Sequence, residues 1–319
     1  MRVISRDLIS AHFNSEQALG YIAEGFVAYS QGRVQMPTPQ NFLFAEAEGD
    51  CCVKSAWLEG SSSFAVKVST GFYANPKRGL ESNDGLILVF CANTGQPLAL
   101  LADHGWLTCM RTALAGRLVT QYLAPPVVRA IGIIGTGVQA RLQLEQTLAV
   151  TDCRDVHVWG RSAQEQERFK TFAENLGCQV VMADSPETLV RNCNLIICAT
   201  PSREPLVQHQ WTQAGTHITA VGADAPGKQE LDPKLMAMAD LIVVDSVTQC
   251  SAYGEASHAL HQHLIKHSDL IELGLVLQGK HPGRIRQQDL TIADLTGLAI
   301  QDSQIARCIL NSIASADSA

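Results

Sequence analysis

The sequence predicts an α/β fold for residues 119–302, with helices covering both faces of a parallel β-sheet. Three observations lead to this prediction: short apolar runs recur at regular spacing, each run precedes a segment of helical character, and the first run ends in a glycine-rich turn. Continuous runs rich in valine and isoleucine are typical of strands buried on both faces. The predicted strands of this doubly wound sheet are residues 130–134, 156–159, 179–182, 195–199, 217–221 and 241–244.

The glycine-rich turn has the pattern GxGxxA and predicts a dinucleotide-binding site. Gly135 permits a tight turn, Gly137 lets the backbone approach a pyrophosphate, and Ala140 lets the next helix pack closely against the strand. The N-terminus of that helix directs unpaired N–H groups and a partial positive charge at the phosphates. The residues of this turn assigned to cofactor binding are Gly135, Thr136, Gly137, Val138, Gln139 and Ala140.

The end of the second predicted strand indicates which nicotinamide cofactor is used. A protein that prefers NAD usually has an acid there to bind the ribose 2′-OH, whereas a 2′-phosphate requires a cation. This strand instead continues into Gly160, Arg161 and Ser162. Because Arg161 can pair with a phosphate and Ser162 can add a hydroxyl, the sequence favours NADPH and leaves NADH as a second option. The alternative reading of Arg161 is a solvated surface residue.

Residues 1–118 are predicted to form a separate α+β domain rich in strands. Asn14 and Gln17 have the spacing of a helix N-terminus, and apolar residues recur behind them at helical spacing. The strand-like runs that follow are residues 41–44, 64–68, 86–90 and 98–101, and the turn at 93–97 predicts a hairpin between the last two. A chain of 319 residues is long enough for two such domains.

Composition and charge argue against several other classes of protein. Hydrophobic residues make up 46% of the chain and charged residues 17%, which is an ordinary globular balance. A net charge of −7 gives no basic surface of the kind that binds nucleic acid. The N-terminus lacks the apolar core of a signal peptide and no run is long enough to cross a bilayer, so we expect a cytoplasmic protein without a membrane partner.

The ten cysteines are interpreted as reduced thiols. There is no CxxC pair, and Cys91, Cys178 and Cys198 lie in apolar runs, where a thiol acts as a small hydrophobic group. Four histidines between residues 258 and 267 have no acid or cysteine at the fixed spacing of a metal site. We therefore predict no metal.

Motifs along nearly the whole chain resemble those of the ornithine cyclodeaminase and mu-crystallin family. They are Lys67 in the run 65–68, the run 85–90, the hairpin turn at 93–97, Arg111-Thr112-Ala113, the glycine-rich turn at 135–140 and residues 222–228. The resemblance implies a Rossmann domain over residues 119–302 and a substrate-binding and dimerisation domain over residues 1–118, to which a C-terminal helix, residues 303–319, returns. It also implies a homodimer that acts on cyclic imino acids or on the related amino acids.

The resemblance places Lys67, Arg111 and Asp224 in the active site. Arg111 would bind the substrate carboxylate through a paired donor fork, and Lys67 as a compact charge. Asp224 follows a predicted parallel strand at its carboxyl end, where it would stabilise a protonated iminium or relay a proton. Lys67 and Asp224 are therefore the candidate catalytic residues. The alternatives are a solvated lysine, a helix-terminal arginine and a turn-forming aspartate.

Three further residues, Thr200, Gly222 and Gly297, are candidates for cofactor binding. One departure from the family concerns the substrate. Many relatives carry an arginine after the first helix, whereas residues 36–42 of this chain contain none. Gln40, or its neighbour Asn41, would supply a neutral hydrogen bond instead, which is weaker than a charge-assisted bond. We therefore count Gln40 among the substrate-binding candidates and expect an altered pocket.

The expected cofactor distinguishes the activities found in the family. A cyclodeaminase regenerates its NAD within one turnover, whereas a reductase consumes a reduced cofactor, and Arg161 fits the reducing NADPH pool. The sequence therefore predicts an NAD(P)H-dependent reductase that converts Δ1-pyrroline-2-carboxylate to L-proline and also accepts Δ1-piperideine-2-carboxylate. Ornithine cyclodeaminase, alanine dehydrogenase and a non-catalytic NADP(H)-binding protein are the alternatives.

Overall fold

The computed structural model describes residues 1–317, which divide into two compact units. The first unit comprises Met1–Arg111 and the C-terminal segment that begins at Leu298, and the second comprises Thr112–Gly297. Each unit has its own β-sheet. The functions expected of a domain at residues 1–118 and a domain at residues 119–302 stay predictions.

The described residues form fifteen strands and eleven α-helices, numbered here in chain order. The strands are β1 (Arg2–Ser5), β2 (Val34–Gln35), β3 (Gln40–Phe44), β4 (Gly49–Leu58), β5 (Ser63–Phe72), β6 (Asn83–Cys91), β7 (Pro97–Ala102), β8 (Ile131–Ile134), β9 (Asp155–Trp159), β10 (Gln179–Met182), β11 (Leu195–Cys198), β12 (His217–Ala220), β13 (Leu241–Val244), β14 (Leu270–Glu272) and β15 (Thr291–Asp294). The helices are α1 (Arg6–Ala11), α2 (Ser15–Ser30), α3 (Trp106–Leu123), α4 (Val138–Leu148), α5 (Ala163–Asn175), α6 (Pro186–Asn192), α7 (Pro233–Met238), α8 (Val247–Tyr253), α9 (Glu255–His261), α10 (Leu273–Leu277) and α11 (Ala299–Asp317).

The first unit is built on a mixed sheet of order β1-β7-β6-β5-β4-β2, and β3 pairs with the other end of β4. Strands β1 and β7 are parallel, whereas the remaining pairs are antiparallel. Helix α11 packs against β4, β5 and α2. Because side chains alternate along a strand, Ala65 and Lys67 are buried on one face of β5, whereas Val66 and Val68 are half-buried on the other.

Two local predictions for the first unit are confirmed. Asn14 caps α2, since its side-chain oxygen accepts the N–H of Gln17 at 2.9 Å. Strands β6 and β7 form the predicted hairpin, and its turn places Gly95 at φ +72°, where glycine is favoured.

Strand β4 was not predicted, because a lysine interrupts the apolar residues of its buried face. The polar Lys54 lies on the buried face, whereas the apolar Val53 and Trp57 lie on the half-exposed face. An alternation of apolar and polar residues is the main signal of a half-buried strand. A strand with a buried lysine therefore gives little signal in the sequence.

The second unit contains a parallel sheet of eight strands in the order β10-β9-β8-β11-β12-β15-β13-β14. All six predicted strands are present. Alternate residues of the central strands enter two separate hydrophobic clusters, as Ile196 and Ile197 of β11 illustrate. A sheet with apolar clusters on both faces is the doubly wound α/β architecture, so the predicted fold class is confirmed.

The sequence did not reveal β14 and β15, of which β15 lies in the middle of the sheet. Strand β15 is fully buried but has a threonine and an aspartate at its ends. The hydroxyl of Thr291 lies 2.8 Å from Nδ1 of His217, and the carboxylate of Asp294 accepts the N–H of Ala256 at 2.9 Å. Internal hydrogen bonds make these polar residues compatible with burial, and they also interrupt the apolar run that would have indicated a strand.

Within residues 1–317, every helix is too short or too polar to span a membrane.

Candidate active site

The glycine-rich turn joins β8 to α4 and is held tightly at Gly135. The N–H of Gly135 donates to the carbonyl of Trp159 at 2.8 Å. Gly135 has φ +116°, and a Cβ at this position would lie 2.6 Å from the carbonyl oxygen of Ala199. The turn therefore requires glycine at this position for both its conformation and its close contact with the residue that follows β11.

Gly137 differs from Gly135 because it borders open space. It is the N-cap of α4, and no side chain in the described part of the chain caps this helix end. A Cβ on Gly137 would have no heavy atom within 4 Å, whereas Ala140, one turn into the helix, is fully buried. An uncapped helix N-terminus beside an open glycine fits the pyrophosphate of a dinucleotide.

The remaining polar and apolar residues of the turn are Thr136, Val138 and Gln139. Thr136 packs against Gly160, where an added Cβ would lie 2.7 Å from the Thr136 methyl group. Val138 is 52% exposed, and Gln139 follows it in the first turn of α4. The turn after β8 and the turn after β9 are therefore neighbours. This brings Thr136 close to the segment with the predicted ribose-binding residues.

Arg161 and Ser162 follow β9 at the carboxyl end of the sheet. The hydroxyl oxygen of Ser162 accepts the N–H of Glu165 at 3.4 Å and caps α5. The proton of the same hydroxyl is still able to donate to a ligand. Arg161 is exposed. The cation and the hydroxyl proposed to contact a 2′-phosphate thus lie next to each other on an accessible turn.

A buried acid that the sequence did not point to, Glu230, organises the neighbouring strand ends. Its carboxylate accepts the N–H of Thr200 at 2.6 Å, the Thr200 hydroxyl at 2.7 Å and the N–H of Gly222 at 2.8 Å. Burial raises the pKa of Glu230 to about 7, although these three hydrogen bonds favour the ionised form. The amides of Thr200 and Gly222 are therefore occupied by Glu230, so a cofactor would contact other atoms of these two residues.

Gly297 is held in a similar way by Asp245. The N–H of Gly297 donates to the Asp245 carboxylate at 2.6 Å, and its carbonyl accepts a hydrogen bond from Gln249 at 3.2 Å. Gly297 has φ +82°, which favours glycine. These contacts fix the backbone of the loop after β15 at the carboxyl end of the sheet.

Asp224 lies in the loop after β12, also at the carboxyl end of the sheet. Its side chain is 52% exposed, and its carboxylate forms an ion pair with Lys228 at 2.6 Å. Ligands of open α/β sheets bind at this edge. The structure therefore places Asp224 at the predicted edge of the sheet and adds Lys228 as its neighbour.

In the first unit, Lys67 and Arg111 are brought together by Asp302 of α11, which the sequence reasoning missed. The Lys67 Nζ atom lies 3.1 Å from one oxygen of the Asp302 carboxylate, and the Arg111 Nε atom lies 3.1 Å from the other. Arg111 also donates to the Gln301 side chain at 3.0 Å. All three charged side chains are almost completely buried. One signal could have revealed Asp302: it is an acid within a helix that is buried on most of its surface.

A second lysine, Lys54 of β4, belongs to this cluster and is 6% exposed. It pairs directly with Lys67 in the antiparallel register of β4 and β5. Burial lowers the pKa of Lys67 to about 8, with further lowering by the charges of Arg111 and Lys54 and an opposing effect of Asp302. Burial alone would raise the pKa of Asp302, but the positive charges of Lys67, Arg111 and Lys54 outweigh it and lower that pKa. The cluster is therefore strongly cationic.

The pairing of β3 with β4 places Asn41, and not Gln40, on the same face as Lys67. Asn41 pairs with Cys52, two residues from Lys54, whereas Gln40 pairs with Val53 on the opposite face. Directly paired residues of antiparallel strands share a face. Of the two amides considered for the substrate carboxylate, Asn41 is the one that the register favours.

No group of three or more potential metal ligands occurs within residues 1–317, and all ten cysteines, which lie in this range, are free thiols.

Comparison with known proteins identifies the family. A sequence model of the ornithine cyclodeaminase/mu-crystallin family matches residues 2–317. The chain belongs to this family. The predicted relationship is thus confirmed. One relative in this family, an uncharacterised cyclodeaminase of Sinorhizobium fredii, is 38% identical over 278 residues, which cover 86% of this chain and 83% of the relative.

Solved structures of two family members agree in fold over nearly the whole chain. An archaeal alanine dehydrogenase dimer with bound NAD superposes with a TM-score of 0.91 at 31% identity, covering 99% of this chain and 97% of the other. The Δ1-pyrroline-2-carboxylate reductase of Thermococcus litoralis, in complex with NADH and L-proline, superposes with a TM-score of 0.92 at 27% identity, covering 99% and 98%. Both of these oxidoreductases hold an NAD cofactor, and the second one acts on an imine.

The two glycines of the turn provide a test of the dinucleotide site. Gly137→Ala should leave the thermal stability unchanged but weaken NADPH binding about tenfold, because the new methyl group would enter the space that the pyrophosphate needs. Gly135→Ala should instead lower the free energy of unfolding by about 2 kcal/mol, because φ +116° and the Ala199 carbonyl oppose a side chain. Nicotinamide fluorescence titrations and denaturant unfolding measure the two effects. Unchanged NADPH affinity in a stable Gly137→Ala protein would argue against this site.

Proposed function

We propose that the protein is an NADPH-dependent reductase of cyclic imino acids, which converts Δ1-pyrroline-2-carboxylate to L-proline and Δ1-piperideine-2-carboxylate to L-pipecolate. The observation that carries this proposal is the buried pair of cations, Lys67 and Arg111, attached to the single carboxylate of Asp302. Buried cations are costly unless they meet negative charge. A carboxylate on the substrate would supply that charge.

In this proposal Asp302 is a positioning residue for the two cations. It holds Lys67 and Arg111 at 3.1 Å each, which limits the rotamers that these long side chains can adopt. A preordered guanidinium and ammonium then bind the substrate carboxylate without first losing side-chain entropy. Asn41, on the same face, would add a neutral amide donor.

In the second unit, the glycine-rich turn would hold the pyrophosphate, and Arg161 with Ser162 would hold the 2′-phosphate of NADPH. The nicotinamide supplies a hydride when it is bound. Glu230, through the N–H groups of Thr200 and Gly222, fixes the loops after β11 and β12. These residues bind and orient the cofactor, and the solved relatives with NAD or NADH support their assignment to it.

Asp224 is proposed as the residue that keeps the ring nitrogen protonated. The C=N bond of a protonated iminium accepts a hydride at carbon, and its π electrons become the lone pair of the amine nitrogen. The Asp224 carboxylate would stabilise the positive charge of the iminium before transfer. Lys228, 2.6 Å from the carboxylate, holds the Asp224 side chain in place.

We propose that the protein is a homodimer, because one face of the sheet in the first unit is apolar and accessible. Phe42 and Phe44 of β3 are 51% and 44% exposed, and they share this face with the half-buried Val66 and Leu88 of β5 and β6. Contiguous exposed apolar surface of this kind is typical of an interface. The alanine dehydrogenase relative, whose structure is a dimer, supports this assignment.

Reduction of the imine tests the proposed function directly. Purified protein should oxidise NADPH when Δ1-pyrroline-2-carboxylate or its six-membered homologue is added, as followed by nicotinamide absorbance. Asp224→Asn should lower kcat about 100-fold with little change in NADPH affinity, because only the iminium contact is lost. Asp152→Asn, at another exposed aspartate, is the control. Release of ammonia from L-ornithine, or amination of pyruvate, without reduction of either imine would overturn the assignment.

Cofactor preference depends on Arg161. Arg161→Ala should weaken NADPH binding about 30-fold and change NADH binding less than about twofold, since only NADPH carries the 2′-phosphate. Fluorescence titrations with both cofactors measure the difference. Arg168→Ala removes a nearby exposed arginine of α5 and serves as the control. An equal loss of both cofactors would contradict the role assigned to Arg161.

Self-association depends on the apolar face of the sheet. Light scattering of the wild type should give the mass of two chains, and Leu88→Glu should give the mass of one, because a charge would be buried in the interface. Leu264→Glu, at an exposed leucine of the second unit, should stay dimeric. A wild-type protein with the mass of one chain would refute this proposal.

A further inference from the structure

Lys54 is a buried cation for which the function proposed above has no role. It lies opposite Lys67 in the register of β4 and β5, so both side chains are on the buried face of the sheet. Like charges that are directly opposite each other destabilise a sheet. Burial increases the cost, because both lysines are less than 10% exposed. The position of Lys54 therefore requires negative charge nearby.

Asp302 is an acid that these buried cations share. Its carboxylate pairs with Lys67 and Arg111 and also feels the charge of Lys54, so this group has three cations for one carboxylate, an excess of two positive charges. Asp103 is a further buried acid, and the charge of Asp302 acts on it. Burial raises the pKa of Asp103, which favours its neutral form. A ligand with one carboxylate would neutralise half of the excess, and a ligand with two would neutralise all of it.

We propose that Lys54 is a substrate-binding residue and that this site prefers imines with two carboxylates. Lys67 and Arg111 hold the carboxylate next to the C=N bond, and Lys54 holds the second one. This inference rests on the proposed function, since it concerns the same site and the same reduction. It adds the substrate class: the affinity for a cyclic imine increases with its number of acidic groups.

A purely structural lysine would give a different result. The methylene groups of a lysine can cover apolar surface while its ammonium group pairs with an acid such as Asp302. In that case Lys54 would affect folding, but it would not distinguish between ligands of different charge. The dependence of affinity on ligand charge is therefore the quantity that separates the two roles.

The experiment compares two flat-ring ligands, pyridine-2-carboxylate and pyridine-2,6-dicarboxylate, by calorimetric titration of the protein with NADPH present. In the wild type the dicarboxylate should bind at least about tenfold more tightly, and in Lys54→Met the two should bind about equally. Lys54→Arg keeps the charge and should restore the preference. Lys77→Met, at an exposed lysine of the same unit, should behave as the wild type.

The same variants give a second readout through Lys67. Its pKa of about 8 is lowered first by burial and then by Arg111 and Lys54, against Asp302. Removal of the Lys54 charge should raise that pKa, so binding of the monocarboxylate should persist to higher pH in Lys54→Met than in the wild type. This limit reports whether the Lys54 charge acts on Lys67, whereas the comparison of the two ligands reports whether it acts on the ligand.

Two results would overturn the inference: a wild type that binds the dicarboxylate no more tightly, or a preference that survives in Lys54→Met. The titrations do not require turnover, so they are independent of the reductase assay. Reduction rates with Δ1-piperideine-2-carboxylate and Δ1-piperideine-2,6-dicarboxylate complete the comparison. If neither imine is reduced, the proposed function fails while the charge preference is still measured.

Discussion

The buried carboxylate of Asp302 is the interaction on which the first unit depends. Without it, Lys67 and Arg111 would be two nearly dehydrated cations with no counter-charge, a situation that proteins rarely tolerate. Asp302 comes from α11, the last helix of the chain, whereas the cations come from β5 and α3. The C-terminal helix therefore supplies the counter-charge of the buried cations as well as covering the sheet.

The second unit uses buried carboxylates differently, to hold backbone rather than cations. Glu230 accepts N–H groups from the loops after β11 and β12, and Glu255 accepts the N–H groups of Glu230 and Leu231 at 2.6 and 3.0 Å. Asp245 holds the loop after β15. Burial, followed by the charge of Glu230, raises the pKa of Glu255 well above its usual value. Carboxyl groups thus satisfy the amides at the edge of the sheet where α/β folds bind ligands.

These two arrangements explain where sequence patterns succeeded and where they failed. The six predicted strands of the second unit are continuous apolar runs, and the GxGxxA turn and the Asn14 cap are local signals carried by a few adjacent residues. Strands β4 and β15 contain buried polar residues whose partners are far away in the chain. Sequence periodicity reveals a strand when each side chain faces either water or the apolar core. It does not reveal a buried polar residue whose partner is far away in the chain.

The sequence by itself determined the doubly wound sheet, the position of the glycine-rich turn, the strand-rich character of the first unit and the family, because each follows from local pattern or from motifs in a fixed order. Only the tertiary structure decided which charges meet. The register of β3, β4 and β5 put Asn41 rather than Gln40 on the face of Lys67 and placed Lys54 opposite Lys67, and the packing of α11 brought Asp302 between Lys67 and Arg111. A shift of one residue in register moves every side chain of a strand to the opposite face of the sheet. The sequence of one strand does not by itself fix the register in which it pairs with its neighbour.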